Sequence, residues 1–271
     1  MTALLLLLNG PAYGVTIDSS EDWNDSTEDN GNITRTGSGS SSDPYTYVIP
    51  DGLTITSSGK MDFRRDEYFL IDLSGSNGGV YIENGGEICL RAGGHDYSDS
   101  GTVTFLMGNN DFHSEGQIHN TEDGSGEEDS KSFEITGTWC DVTINDDLHT
   151  TAYDNTTGSV IIDTGGDVTV TEIWTYDRAS GGNDSGDVSI TARSITVNAE
   201  IRTDTRRTSS GATSGDVVLK ARNLNCNNTI DNVITLKNNI DTDADDSDPD
   251  DGDITLYCTK AIFYNINEIL R

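Results

Sequence analysis

The stretch that decides the fold is Gly186-Asp-Val-Ser-Ile-Thr-Ala-Arg-Ser-Ile-Thr-Val-Asn-Ala-Glu-Ile201, because the chain repeats it. A second copy, Gly215-Asp-Val-Val-Leu-Lys-Ala-Arg-Asn-Leu-Asn-Cys-Asn-Asn-Thr-Ile230, aligns with the first without a gap. The series continues at Gly252-Asp-Ile-Thr-Leu-Tyr-Cys-Thr-Lys-Ala-Ile-Phe263, and 158–170 precedes it with one inserted residue. Self-similarity at a fixed period of this length indicates a repeat architecture.

Each repeat unit begins with an apolar residue that can be followed backwards along the chain. The eight anchors are Leu53, Val80, Val103, Phe133, Val160, Val188, Val217 and Ile254. Inside a unit the apolar residues alternate with polar ones, as in Val188 and Ile190, Ile195 and Val197, and then Ile201. A period of two predicts short strands with one buried face. Polar loops between the units are expected at 177–185, 204–214 and 231–251.

Strands this short, joined by corners of two or three residues, cannot pair with one another as hairpins. Each can stack instead on the equivalent strand of the next unit. The sequence therefore predicts an all-β fold, a right-handed parallel β-helix of about eight coils, because parallel connections are right-handed by default. The alternative is an antiparallel β-sandwich, which also contains many short strands.

Three regions are expected along the chain. Residues 1–14 include a run of leucines and are expected to be the remnant of a secretory signal peptide. Residues 15–45 are polar and are expected to form a linker and an N-terminal cap. Residues 46–271 carry the strand pattern, and the solenoid is expected to continue beyond them. An exported chain would be located outside the cell or at the cell surface.

The composition is strongly acidic, with 47 Asp and Glu residues against 16 Lys and Arg residues and a net charge of −31. Such a surface repels phosphates and anionic lipids, so we expect neither nucleic-acid binding nor membrane insertion. It favours bound cations, or a salty medium that screens the repulsion as in a halophilic protein.

The Gly-Asp pairs repeat at the start of strands, and Gly is expected to allow a positive φ at each corner. The pairs begin at Gly166, Gly186, Gly215 and Gly252. Stacking is expected to place Asp187, Asp216 and Asp253 in one column.

The repeat resembles that of large bacterial and archaeal surface exoproteins, the filamentous-haemagglutinin-like and related right-handed β-helix proteins. The resemblance covers residues 46–266 and is sharpest over 158–266, with Gly-Asp-Val-x-Ile-x-Ala followed by Ile-x-Val and a Gly/Ser-rich loop. It implies a structural or adhesive extracellular rod without a catalytic site. Its partner would be a second copy of itself, end to end or side by side, or an extracellular glycan. The alternative is a β-helix that binds or cleaves polysaccharide.

The most concentrated candidate site is an acidic loop near the end of the chain. Its eight carboxylates are Asp241, Asp243, Asp245, Asp246, Asp248, Asp250, Asp251 and Asp253. Ca²⁺ takes six to eight oxygen ligands, so this loop is a candidate calcium site. No EF-hand register fits, since the sixth position of the best register is Asp246 instead of Gly. A merely solvated acidic loop is the alternative.

Other motifs give weaker indications. The His cluster of His113 and His119, near Asp111 and Glu115, is too poorly matched to the repeat to define an active site. The glycosylation candidates are Asn24, Asn32, Asn155, Asn183 and Asn227. The four cysteines are expected to be free, with Cys89 on the outer side of its coil and Cys140, Cys226 and Cys258 on the inner side.

Overall fold

The computed structural model of the protein describes residues 14–22, 33–63, 67–90, 101–120, 130–152, 157–175, 184–204, 213–222, 232–242 and 252–264. In these ranges all regular elements are strands, and none contains a helix long and apolar enough to cross a membrane. The strands are β1 Val15–Ile17, β2 Ser20–Asp22, β3 Thr34–Thr36, β4 Tyr45–Val48, β5 Leu53–Ile55, β6 Lys60–Asp62, β7 Phe69–Asp72, β8 Val80–Ile82, β9 Glu87–Cys89, β10 Thr102–Gly108, β11 Phe112–Ser114, β12 Gln117–His119, β13 Ser132–Gly137, β14 Val142–His149, β15 Val160–Thr164, β16 Asp167–Trp174, β17 Val188–Ala192, β18 Ser194–Val197, β19 Ile201–Arg202, β20 Val217–Ala221, β21 Val233–Leu236, β22 Ile240–Asp241, β23 Ile254–Tyr257 and β24 Lys260–Phe263.

The strands stack in three rows, which we call ladders. The first ladder is a nine-stranded sheet in the order β3-β4-β7-β10-β13-β15-β17-β20-β23. The other two ladders belong to one fifteen-stranded sheet, and the long strands β14 and β16 contribute to both. The second ladder contains β1, β5, β8, β11, β18, β21 and β24, and the third contains β2, β6, β9, β12, β19 and β22.

Every pairing between these strands is parallel except that of β3 with β4. Each strand pairs with its equivalent one coil away, as Val188 does with Val160 on one side and Val217 on the other. This arrangement is a parallel β-solenoid. The prediction of an all-β β-helix is confirmed, and the antiparallel β-sandwich is excluded.

The core consists of columns of like residues from successive coils. Ile162, Ile190 and Leu219 stack in the first ladder, and none of their surface is exposed. Val188 is also fully buried, whereas Ser189 lies on the outer side. Each buried aliphatic side chain stabilises the fold by about 1.5–3 kcal/mol, so the column as a whole, more than any single strand, holds the solenoid together.

Aspartates at the corners bond successive coils to each other. The Asp187 carboxylate accepts the backbone N–H of Asp216 at 2.8 Å, and the Asp216 carboxylate accepts that of Asp253 at 2.8 Å. The column expected from the sequence therefore exists, and its carboxylates also serve as hydrogen-bond acceptors. Before the second ladder, Asp141 bonds the N–H of Asp167 in the same way, at 2.7 Å. Part of the high Asp content is thus structural.

The glycines of the Gly-Asp pairs are required for a reason other than the expected one. Gly186, Gly215 and Gly252 do not have a positive φ. Each lies against the backbone carbonyl of the glycine one coil earlier, so closely that a Cβ atom would overlap it. The corner needs Gly because the coils approach each other closely there, and not because of its backbone conformation.

In the later coils, a threonine closes the base of the loop between the third and first ladders. Thr175 Oγ1 donates to the carbonyl of Gly186 at 2.5 Å, and the N–H of Gly186 donates back to the Thr175 carbonyl at 3.1 Å. Thr203 and Gly215 repeat this pair. Loops of different lengths can therefore leave the solenoid without changing its register.

Two of the eight anchors belong to a different ladder from the others. Leu53 and Val80 pair with each other in the second ladder, whereas Val103 begins a series of six anchors stacked in the first. Counting all eight as one series was therefore wrong, and the stacked anchors mark five steps along the rod. In the first ladder the earlier positions are taken by Tyr45 and Phe69.

The gap-free alignment of 215–230 with 186–201 is wrong after β20. The strand that pairs with Ile195 and Val197 is Val233–Leu236, and Ile240 pairs with Ile201. The predicted loop 231–251 thus contains β21 and β22. Residues 223–231, with Cys226, lie outside the described residues. The alternation of Leu224 and Cys226 misled the alignment, although Ile234-Thr-Leu matches Ile195-Thr-Val more closely.

The parallel stacking also begins before residue 46. Val15–Ile17 pairs with Leu53–Ile55, and Ser20–Asp22 pairs with Lys60–Asp62, so part of the expected linker is strand. Three-residue strands carry only two inward positions, too few for a period of two to stand out. Residues 1–13 lie outside the described residues, so the signal-peptide interpretation stays a prediction.

Candidate functional site

The acidic loop is described only at its two ends. Asp241 ends β22, and Asp253 immediately precedes β23. Thr242 Oγ1 donates to the Gly252 carbonyl at 2.9 Å and so holds these ends together. The other six carboxylates of the predicted calcium site, at 243, 245, 246, 248, 250 and 251, lie outside the described residues, as do all five glycosylation candidates. Both interpretations therefore stay predictions.

A second candidate site lies on the outer face of the third ladder, where two columns of polar side chains run side by side. The acidic column contains Lys60, Glu87, Gln117, Asp147 and Glu172. The histidine column contains Asp62, Cys89, His119, His149, Trp174, Arg202 and Asp241. Between the columns, residues such as Ile88 and Ile118 face the core and fix the register.

One group of potential metal ligands spans β9 and β12. Glu87 and Cys89 are two residues apart on β9, and His119 pairs directly with Cys89. Their ligand atoms lie within 4.8 Å of one another. Glu87 Oε2 is 3.8 Å from Cys89 Sγ and 3.9 Å from His119 Nε2. Lys60 Nζ contacts the same carboxylate at 3.2 Å and fixes its position.

A second group repeats the pattern on β14 and β16. Asp147 and His149 are two residues apart on β14, and Glu172 pairs with Asp147. Their ligand atoms also lie within 4.8 Å of one another, and His149 Nε2 is 3.0 Å from Glu172 Oε1. The Trp174 ring stacks on the His149 ring at 4.3 Å with an interplanar angle of 2°, which fixes the plane of the imidazole.

The two groups lie next to each other along the rod. His119 of the first pairs with His149 of the second, and Gln117 Nε2 donates to Asp147 Oδ2 at 3.2 Å. Each group occupies one pair of neighbouring strands, so their centres are about 10 Å apart at the usual strand spacing of about 4.8 Å.

Burial changes the proton affinities of this face. It lowers the pKa of His119, which favours the neutral imidazole that binds metals. It raises the pKa of the Cys89 thiol to about 11. Burial, assisted by Asp147 and other nearby carboxylates, raises the pKa of Glu172 to about 7. Burial thus favours the uncharged forms of these three side chains.

The two histidines that are close in sequence, His113 and His119, lie on different ladders. His113 lies on the second ladder, with Nε2 2.7 Å from Glu115, whereas His119 lies on the third ladder beside Cys89. The ligand groups were missed because their members come from different units. The sequence does carry a signal for this ladder. It is a repeated tripeptide in which a polar residue is followed by Ile or Leu and then by a variable residue. It occurs as Glu87-Ile-Cys89, Gln117-Ile-His119, Asp147-Leu-His149, Glu172-Ile-Trp174 and Glu200-Ile-Arg202.

The cysteines follow the expected sides of the coil where they are described. Cys89 lies on the outer side but is fully buried, and Cys140 is buried in the core. Cys258 packs against the core from the last described coil. All three are free thiols.

Comparisons with known proteins give no family. No family model matches the chain, and no match is found among curated proteins or among solved structures. The β-solenoid architecture implied by the resemblance is shown by the structure itself, and the more specific relationship to haemagglutinin-like exoproteins rests on the repeat pattern alone.

Proposed function

We propose that the protein is a secreted, acidic β-solenoid that serves as a structural or adhesive rod outside the cell and assembles end to end with copies of itself. The observation that carries the proposal is the state of the last described coil. Its inward-facing side chains stack on a finished core but are themselves partly exposed.

The last described coil, which we call the open end, carries apolar side chains that are partly exposed among the described residues. Ile254 and Leu256 pair with the fully buried Val217 and Leu219, yet both are only partly buried. Phe263, paired with the buried Leu236, is 46% exposed. Strands β23 and β24 each pair on one side only among the described strands. An edge of this kind is a template for further strands.

The opposite end is covered. In the second ladder, Val15 and Ile17 of the edge strand β1 are at most 6% exposed. In the first ladder, β3 runs antiparallel along the edge of β4. Among the described residues, the apolar surface that a second copy would bury is therefore concentrated at the coil of β23 and β24.

Secretion and the surface role are supported by sequence features. The Leu run near the start is typical of an export signal, and the repeat resembles that of filamentous-haemagglutinin-like surface proteins. A regular solenoid whose corners are held by Asp and Gly is suited to serve as an elongated structural rod. We expect no catalytic activity.

The alternative function, binding or cleavage of polysaccharide, predicts aromatic side chains aligned on one outer face. The exposed aromatic residues of the described part of the chain are instead dispersed. Tyr81 lies on the second ladder and Trp139 lies between β13 and β14. Tyr257, Phe263 and Tyr264 all belong to the last described coil, but Tyr257 lies on the first ladder and Phe263 on the second. The rod is therefore the function that the geometry favours.

The test is the assembly state of the purified chain in molar NaCl, where the Debye length is about 3 Å and repulsion between copies is screened. Light scattering and negative-stain microscopy should show particles longer than one solenoid. Leu256→Asp, at the open end, should abolish them. Thr255→Asp, on the outer side of the same strand, should not. Single short rods at every concentration would refute the proposal.

A further inference from the structure

We infer that the outer face of the third ladder is a paired binding site for divalent transition-metal ions of the zinc class. One ion would bind Glu87, Cys89 and His119, and the other would bind Asp147, His149 and Glu172. This inference is independent of end-to-end assembly, because neither group includes a residue of the last coil.

The donor atoms of the first group select a borderline-soft ion. A thiolate, an imidazole and a carboxylate together are a zinc ligand set. Ca²⁺, in contrast, requires six to eight oxygen ligands, and this group offers one carboxylate. A calcium site, if present, would have to be elsewhere, as in the acidic loop.

The geometry of the first group is close to that of a bound site. Tetrahedral zinc with bonds of about 2.0–2.3 Å would hold its ligand atoms about 3.3–3.6 Å apart. Glu87 Oε2 already lies 3.8 Å from Cys89 Sγ and 3.9 Å from His119 Nε2. Small rotations of the side chains would complete the contacts. Three protein ligands leave a fourth position for water, as in open zinc sites.

The polar atoms of this group converge on one another and on the Lys60 ammonium. The His119 side chain is 19% exposed, and its Nε2 atom is shielded from solvent with no hydrogen-bond partner among the described residues. Cys89 is fully buried beside it. A buried nitrogen lone pair facing a thiol and a carboxylate is costly unless a cation or a proton joins them.

The second group supports the assignment because it repeats the first in the same frame. In each, two ligands stand two residues apart on one strand and the third lies opposite on the next strand. Two carboxylates and an imidazole form a harder donor set, which also accepts zinc. Trp174 and Lys60 act as positioning residues, the first by stacking on His149 and the second by holding Glu87.

The experiment is titration of the full chain with Co²⁺, followed by displacement with Zn²⁺. Cobalt bound to a thiolate gives a sulfur-to-metal charge-transfer band in the near ultraviolet. We expect this band, a stoichiometry of two, and displacement by zinc. Cys89→Ser should remove the band, whereas Cys258→Ser should leave it intact. Far-UV circular dichroism on each variant would separate lost binding from lost folding.

The histidines provide a matched pair of tests. His119→Gln should weaken binding by more than the roughly 10–100-fold cost of removing an outer partner. His149→Gln should reduce the stoichiometry from two to one and keep the band. His113→Gln, on the neighbouring ladder, should change neither. Absence of the band in the folded protein, its survival in Cys89→Ser, or displacement of the cobalt by millimolar Ca²⁺ would overturn the inference.

Discussion

Replacing Val188 with Asp tests the packing of the solenoid most directly. Val188 is fully buried between Val160 and Val217. Loss of its burial removes about 1.5–3 kcal/mol. Keeping the new carboxyl protonated at pH 7 requires raising its pKa from about 3.9 to at least 7, which costs about 4 kcal/mol. The sum, about 6 kcal/mol, is comparable to the whole stability of a typical domain.

The assay is thermal and urea denaturation followed by circular dichroism, with Ser189→Asp as the control. Ser189 is the next residue on the same strand and faces outward, so its replacement should cost less than about 0.5 kcal/mol. The new carboxyl at 188 has a raised pKa in the folded state, so its destabilisation should grow as the pH rises above about 4 and shrink below it. Equal shifts for the two variants, or a loss at 188 that does not depend on pH, would show that the register is wrong.

Three further predictions concern the corners and the charge. Gly215→Ala should destabilise the protein by about 1–3 kcal/mol in a thermal melt, because the added Cβ would overlap the Gly186 carbonyl. The control Gly75→Ala should be nearly neutral in the same melt, because there is open space around Gly75. Arg193 donates hydrogen bonds to Asp167 and lowers the pKa of that carboxyl below its ordinary 3.8, so Arg193→Gln should be less stable than the wild type at pH 7. The difference in stability should close as the pH falls below 3.8, and a constant difference in acid titrations would contradict this. Molar NaCl should raise the melting temperature above that in low salt with chelator, because it screens the net charge of −31. Millimolar CaCl₂ in low salt should raise the melting temperature further only if the acidic loop binds calcium. A melting temperature that responds to neither salt would refute the electrostatic argument.

Sequence reasoning worked where one unit is an uninterrupted copy of the next. Val160, Val188 and Val217 stack as the repeat predicted. The three units align without a gap from the glycine two residues before each valine to the end of the first strand. It failed at 223–231, where an insertion after β20 moved the next strand to Val233–Leu236. Two short apolar alternations competed for one place in the core, and local pattern alone cannot decide which of them stacks.

The candidate site shows the same division. The acidic loop is contiguous, so its eight carboxylates were visible in the sequence. The ligand groups of the third ladder are not, because Cys89 and His119 are 30 residues apart and meet only through the pairing of β9 with β12. Finding them required the register of the third ladder, and that register depends on which residues pack inward in every coil.

The sequence by itself determined the architecture of this protein. A repeated period-two pattern with short corners favours pairing of each strand with the equivalent strands of the coils before and after it, and disfavours hairpins within a unit. The tertiary structure alone decided which residues of different coils become neighbours. Stacking converts a separation of one unit along the chain into about 4.8 Å across the ladder. Functional groups on a solenoid therefore come together in columns of residues from successive coils. Which residues share a column is decided only when packing selects the strand of each coil that stacks on the next.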